Sequence, residues 1–247
     1  MSRMKVLLDV LILGSSLIPW TALAQSSGRY ATVQSLALSG QANGVDGTLQ
    51  LLLDERLSAS VRETLWGKGG WDVVLPAESS LYKEFVARPP AKAKLRVRNR
   101  AGAVVVERSL ETPLAKLEMR KGAGREAPLI FLTQDRSAGF GSYGGLETTL
   151  LAASGAAVHE VSARDVRTER EEPIRLVRAL KSDWRITDEG GTPEILVVSS
   201  RPKAAEGGFT TVCVRYSLDR GRWIKHERER DGLWESDQPF PERSAFQ

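Results

Sequence analysis

The sequence is poor in the residues that most often announce chemistry. It has one cysteine, Cys213, so no intramolecular disulfide can form, whatever the compartment. It has two histidines, His159 and His226, which fall on different expected strands with no ligand-pair spacing, so no metal site is expected. Aromatic residues make up 6% of the chain, and beyond the N-terminus no apolar run is long enough to span a membrane. No internal repeat is evident, which argues against a propeller of similar blades. With metal and disulfide absent, packing alone has to hold the fold.

The N-terminus has the order a signal peptidase substrate needs. Arg3 and Lys5 precede an apolar segment from Val6 to Ile18, then come Pro19 and the small-residue pattern Ala22-Leu23-Ala24. The expectation is a cleavable signal peptide over residues 1–24, with the mature chain starting at Gln25 in a bacterial periplasm or outside the cell. Asp9 is unusual inside the apolar segment and keeps an uncleaved anchor as the alternative. After cleavage no stable membrane span is expected. The net charge of +4, in an exported protein, points to anionic envelope material as partner rather than to nucleic acid.

Alternating patterns dominate, so the expected fold class is mainly β: antiparallel sheets with a few short helices. Val33 to Leu38, Thr48 to Leu53 and Ala115 to Arg120 read as strands, and Lys94 to Arg98 with Val104 to Leu110 reads as a hairpin. Short helices are expected after the capping pattern Ser60-x-x-Glu63 and over Ser80 to Ala87, where Pro89-Pro90 follows. The polar stretch Arg120 to Pro128 reads as a linker between an N-terminal β-rich domain, 25–122, and a C-terminal one, 128–247. In the latter, strands are expected at Leu129 to Thr133, Thr148 to Leu151 and Val158 to Ser162, and a helix from Pro173 to Leu180. A four-strand antiparallel meander then runs from Trp184 to Arg230. A sandwich, an open barrel and a propeller-like meander all accommodate it. The late aromatic residues Trp234, Phe240 and Phe246 are expected to pack as a tail across the end of that sheet.

Several motifs invite an activity and fail on context. Gly139-Phe140-Gly141-Ser142-Tyr143-Gly144 matches GxGxxG, but it stands six residues from the preceding strand and an exported protein has no steady supply of dinucleotide. No cofactor is expected. Ser80-Leu81-Tyr82-Lys83 and Ser200-Arg201-Pro202-Lys203 both match SxxK, yet the companion motifs of penicillin-binding proteins and β-lactamases are missing, and the GxSxG elbow fails around Ser142 because Phe140 holds its first glycine position. No catalytic residue is assigned. What remains is a glycine-rich loop able to present Asp135, Ser142 and Tyr143 to a ligand, which is where a hydrolase site would sit if there were one.

A sharper signal is basic. Lys92, Lys94, Arg96, Arg98 and Arg100 alternate along one strand, with Leu95 and Val97 on the other face. The ordinary explanation is an edge strand guarded by charge against sheet-to-sheet association. The functional one is a ladder, centred on Lys94, Arg96 and Arg98, for an anionic glycan or other envelope polymer.

The loop Asp135 to Gly145 and the closing pattern Arg215-Tyr216, Trp223, Trp234-Glu235 and Phe240-Pro241 resemble an uncharacterised exported bacterial protein family over roughly residues 128 to 247. That resemblance implies no activity and carries over no site residue. It implies that the Asp135 to Gly145 loop is a defining feature of the fold.

Overall fold

The computed structural model describes residues 29–38, 47–120, 128–138, 141–154, 157–187, 192–203 and 207–247. The expected signal peptide, the turn at 39–46, the linker residues 121–127, the pair Gly139-Phe140 and the turn at 188–191 lie outside them. In chain order, β1 (Tyr30–Ala37) and β2 (Gly47–Asp54) precede three short helices, α1 (Ala59–Leu65), α2 (Trp71–Val74) and α3 (Ser80–Ala87). Strands β3 (Lys94–Asn99), β4 (Val104–Ser109) and β5 (Ala115–Arg120) follow. After them come β6 (Leu129–Asp135), β7 (Leu146–Ser154), β8 (Ala157–Glu160), β9 (Ser162–Asp165), β10 (Glu171–Pro173) and β11 (Arg175–Arg178). The chain closes with β12 (Ser182–Thr187), β13 (Glu194–Pro202), β14 (Phe209–Asp219) and β15 (Arg222–Asp231). The protein is mainly β, as the alternation predicts, and among the described residues none of its sheets closes into a barrel.

The strands form three sheets: an N-terminal one ordered β1-β2-β3-β4, a central one ordered β11-β7-β6-β5 with β8 beside β7, and a C-terminal one ordered β10-β9-β15-β14-β13-β12. Every pair is antiparallel except β15 with β9, which run parallel. The central sheet explains the stacking. Its strand β6 opens with four consecutive apolar residues, Leu129 to Leu132, and such a run suits a strand covered on both faces. Ile130 and Leu132 point into a core shared with Leu49, Leu51, Leu53, Leu95 and Val97 of the N-terminal sheet. Phe131 points the other way, into a core with Trp184, Val197, Val212, Val214 and Tyr216 of the C-terminal sheet. The result is a three-layer stack of open sheets.

This stacking changes the domain picture. Strands β5 and β6, on either side of the expected linker, pair along their full length from Ala115↔Gln134 to Arg120↔Leu129. The boundary expected at 122–128 falls between two strands that pair with each other and share one core. At one corner the amide of Gln34, beside a β-bulge in β1, accepts from the N–H of Leu117 at 2.8 Å and donates to its carbonyl at 2.9 Å, joining the first two layers.

The helices form the bridge between β2 and β3. Helix α3 has the bounds the sequence predicts, capped by Ser79 and burying Phe85. Helix α1 is capped by Ser58 rather than Ser60, since Ser58 Oγ accepts from the N–H of Val61. Arg56 ties the assembly together: its guanidinium reaches Asp54 at 2.6 Å and the carbonyls of Arg88 and Pro89 at 2.7 and 3.2 Å. Burial raises the carboxyl pKa of Asp54, but hydrogen bonds from Arg56 and from the N–H of Ala91 outweigh it and hold that pKa below its ordinary value.

The helix expected from Pro173 to Leu180 is not formed. Those residues make β10 and β11, with Ile174 and Leu176 fully buried and Leu180 46% exposed. Ile174, Val177 and Leu180 fit a helical period, but burial at 174 and 176 follows a period of two. The segment from Leu146 to Ala153 is likewise strand, so the glycine loop does not open a helix and the dinucleotide motif has no structural basis.

The final residues fold back over the outer face of the C-terminal sheet. Trp234 and Phe246 are buried against Leu196, Val198 and Cys213, with Phe240 packed beside them. Ser200 Oγ accepts from the N–H of Trp234 at 2.8 Å, and Thr211 Oγ1 donates to the carbonyl of Gly232 at 2.8 Å.

Candidate functional site

The glycine-loop candidates separate in the structure. Asp135 ends β6, and its carboxylate accepts the N–H of Gly67 at 2.6 Å, the N–H of Ser137 at 3.0 Å and the hydroxyl of Ser137. Ser137 Oγ in turn accepts the N–H of Gly69 at 3.0 Å. These two side chains fasten the turn between α1 and α2 to the central sheet, which is a positioning role. Ser142 and Tyr143 sit on a single 3-10 turn. Tyr143 is exposed, with the ammonium of Lys181 5.4 Å from its ring centre; the same ammonium lies 4.0 Å from the ring centre of Phe209. Among the described residues no hydrogen bond joins Asp135 or a histidine to Ser142 or Tyr143. The loop is closed at its base by the N–H of Arg136 on the carbonyl of Gly145 at 2.8 Å, and Arg136 is held between Glu111 and Glu147.

The basic residues stay together. Lys94, Arg96 and Arg98 lie on the outer face of the N-terminal sheet, opposite Leu95 and Val97, which are buried. Their strand has β2 on one side and β4 on the other. It is not an edge, so guarding an edge does not account for its charge. The register sets the cations in three rows: Lys94 with Leu52 and Ser109, Arg96 with Gln50 and Glu107, Arg98 with Thr48 and Val104. One carboxylate, Glu107, stands in these rows. It accepts from Lys94 Nζ at 2.9 Å and from Arg96 Nε at 2.8 Å. The Lys94 hydrogen bond, with that of Arg96 behind it, holds the Glu107 pKa below the ordinary carboxylate value against the opposing effect of burial. Arg98 is oriented by Gln50 at 3.0 Å and by the carbonyl of Gly102. The Lys94 ammonium also stands 4.5 Å from the ring centre of Tyr30. Three fixed cations against one carboxylate leave the face net positive, with hydrogen-bonding amide, hydroxyl and phenol groups around them.

Glu107, Gln50 and Tyr30 were not legible as members of this face. The pairing of β3 with β4 shifts between Val97 and Arg98, so alternation along β4 does not reveal which residue meets which cation.

The remaining candidates take structural places. Ser200 is buried under Trp234, and Ser80 opens α3. His159 is on β8 of the central sheet and His226 on β15 of the C-terminal sheet; no cluster of metal-binding side chains occurs among the described residues. Cys213 is buried and free, and burial pushes its thiol pKa up, which makes it a packing residue rather than a nucleophile. No family model, curated protein or solved structure matches the chain.

Proposed function

We propose that this is an exported envelope protein, released from its signal peptide between Ala24 and Gln25, that acts as a binding or structural accessory by holding anionic polymer on the outer face of its N-terminal sheet. The observation that carries this reading is the position of Lys94, Arg96 and Arg98 on an interior strand, side by side and offset by a single carboxylate. An interior strand has no edge to protect, and a face with surplus fixed cations attracts polyanions at a strength that falls as salt rises. Acidic glycans of the envelope present such a chain of negative charge.

The test is retention on an immobilised anionic glycan. The wild type is expected to be retained at low salt, and the triple variant Lys94→Ala, Arg96→Ala, Arg98→Ala to elute at markedly lower salt while keeping its β-type circular dichroism. Glu107→Gln, which releases two cations from their shared partner, is expected to elute at higher salt than the wild type. Unchanged elution of the triple variant overturns the proposal.

A further inference from the structure

The last strand, β15, ends His226-Glu227-Arg228-Glu229-Arg230-Asp231, with basic and acidic residues in alternation. A strand sends successive residues to opposite faces, so it sorts such a run by sign. The register shows which face takes which. Glu227 and Glu229 stand opposite Val214 and Val212, which belong to the core shared with the central sheet. Arg228 stands opposite Cys213, which lies on the outer face under Trp234 and Phe246, and Arg230 follows it there, opposite Thr211.

The two signs meet different surroundings. Each acid has a cation: Glu227 meets Lys225 at 3.1 Å, Glu229 meets Arg201 at 2.6 Å and Asp231 meets Lys203 at 2.8 Å. Arg228 and Arg230 are exposed, and among the described residues neither has a carboxylate at ion-pair distance, the C-terminal one included. On the same face Arg215 shares Glu194, at 3.8 Å, with Arg243, at 2.7 Å. The carboxylates of the tail do not offset the surplus. Glu235 and Asp237 flank Ser236, whose N–H donates to the carbonyl of Leu180 beside β12, at the far edge of the sheet, and Glu242 pairs with neither arginine. Strand β9 covers β15 only over Trp223 to Lys225, so charge beyond that point also guards a local edge; guarding works with either sign and does not call for sorting.

Arg228 and Arg230 repeat the spacing of Arg96 and Arg98, two residues or about 6.7 Å of strand. Strand β3 turns Leu95 and Val97 toward the central sheet and β15 turns Trp223 toward it, so the two rows of cations look out from opposite sides of the stack.

We propose that the outer face of the C-terminal sheet is a second site for anionic polymer, held by Arg228 and Arg230, so that one protein joins two polymer chains across the stack. The joining rests on the polyanion reading of β3; the second site does not. The test uses polygalacturonate, immobilised for retention and soluble for light scattering. Arg228→Ala with Arg230→Ala is expected to elute at lower salt than its parent, both in the wild type and in the triple variant of β3, while keeping its β-type circular dichroism. Arg228→Gln with Arg230→Gln takes its place if the alanine variant does not fold. Lys68→Ala with Lys83→Ala, which removes the same charge from exposed positions of the helical segment, is expected to leave elution unchanged. Wild type mixed with soluble polymer is expected to scatter strongly, and variants of either face to lose that scattering. Unchanged elution of the Arg228 and Arg230 variant, or an equal shift from the lysine pair, overturns the second site. If the triple variant of β3 elutes as the wild type does while the Arg228 and Arg230 variant shifts, the first face and the joining fall and the second site stands. Scattering that is absent from the wild type, or undiminished when either face is neutralised, overturns the joining.

Discussion

Lys225 carries a second concentration of charge, and it is a structural one. Its ammonium, on β15, meets Asp165 at 3.1 Å, Glu172 at 3.0 Å and Glu227 at 3.1 Å, drawing together three strands of the C-terminal sheet. Burial alone raises the carboxyl pKa of Asp165, but the N–H groups of Thr168 and Arg167 and the Lys225 ammonium more than reverse this and bring it down to about 2 from 3.8. Burial alone lowers the pKa of Lys225, and its three carboxylates carry it above the ordinary lysine value. The Asp165 contribution is present above pH 3.8 and is lost as pH falls toward 2, while that of Lys225 is lost only as pH climbs beyond the ordinary lysine range. A pH series of urea unfolding should show a loss of about 2 kcal/mol from Asp165 on the acid side, absent in Asp165→Asn. The acid pair at the β9–β10 turn was not legible in the sequence, because its partner lies sixty residues away on a strand that joins β9 in parallel.

At the scale of elements, legibility followed the strength of local signals. Helix α3 was readable to the residue because its cap and the prolines after it are local. The meander β12 to β15 was readable because its strands are consecutive and antiparallel. Residues 173–180 were misread because the choice between periods is made by neighbours, and Leu176 is buried by a sheet that local sequence does not show. The cationic alternation of β3 was plain, but whether β3 was edge or interior depended on β2, about forty residues upstream. The short turn before β7 illustrates another contact of this kind. A methyl group on Gly145 would overlap the carbonyl oxygen of Arg178, on the strand beside β7. Gly145→Ala is expected to destabilise the protein by about 1–3 kcal/mol, with an unchanged urea m-value, because the obstacle is backbone and cannot rotate away.

For the whole molecule, the three-layer stack makes the two expected domains interdependent. Leu117 and Ala115, before the linker, share a core with Ile130, Leu132 and Leu151, after it. A fragment covering 25–122 lacks three strands' worth of that cover and is expected to show no cooperative thermal transition, whereas the chain from Gln25 to Gln247 unfolds in one. Circular dichroism against temperature distinguishes the two outcomes; a sharp transition in the fragment would restore the two-domain reading.

The apolar run Leu129 to Leu132, which serves both cores, also bears on the order in which the chain acquires structure. Strands β5, β6 and β7 are neighbours in sequence as well as in space, so their pairing closes only short loops. The N-terminal sheet and its helices are synthesised first, yet the core they line is completed only by Ile130, Leu132, Leu151 and Ala153 of that middle layer. Nascent chains therefore hold the core of Leu49, Leu51, Leu53, Leu95 and Val97 incompletely covered until about residue 150 has emerged, a window in which a chaperone meets apolar surface that the finished stack hides.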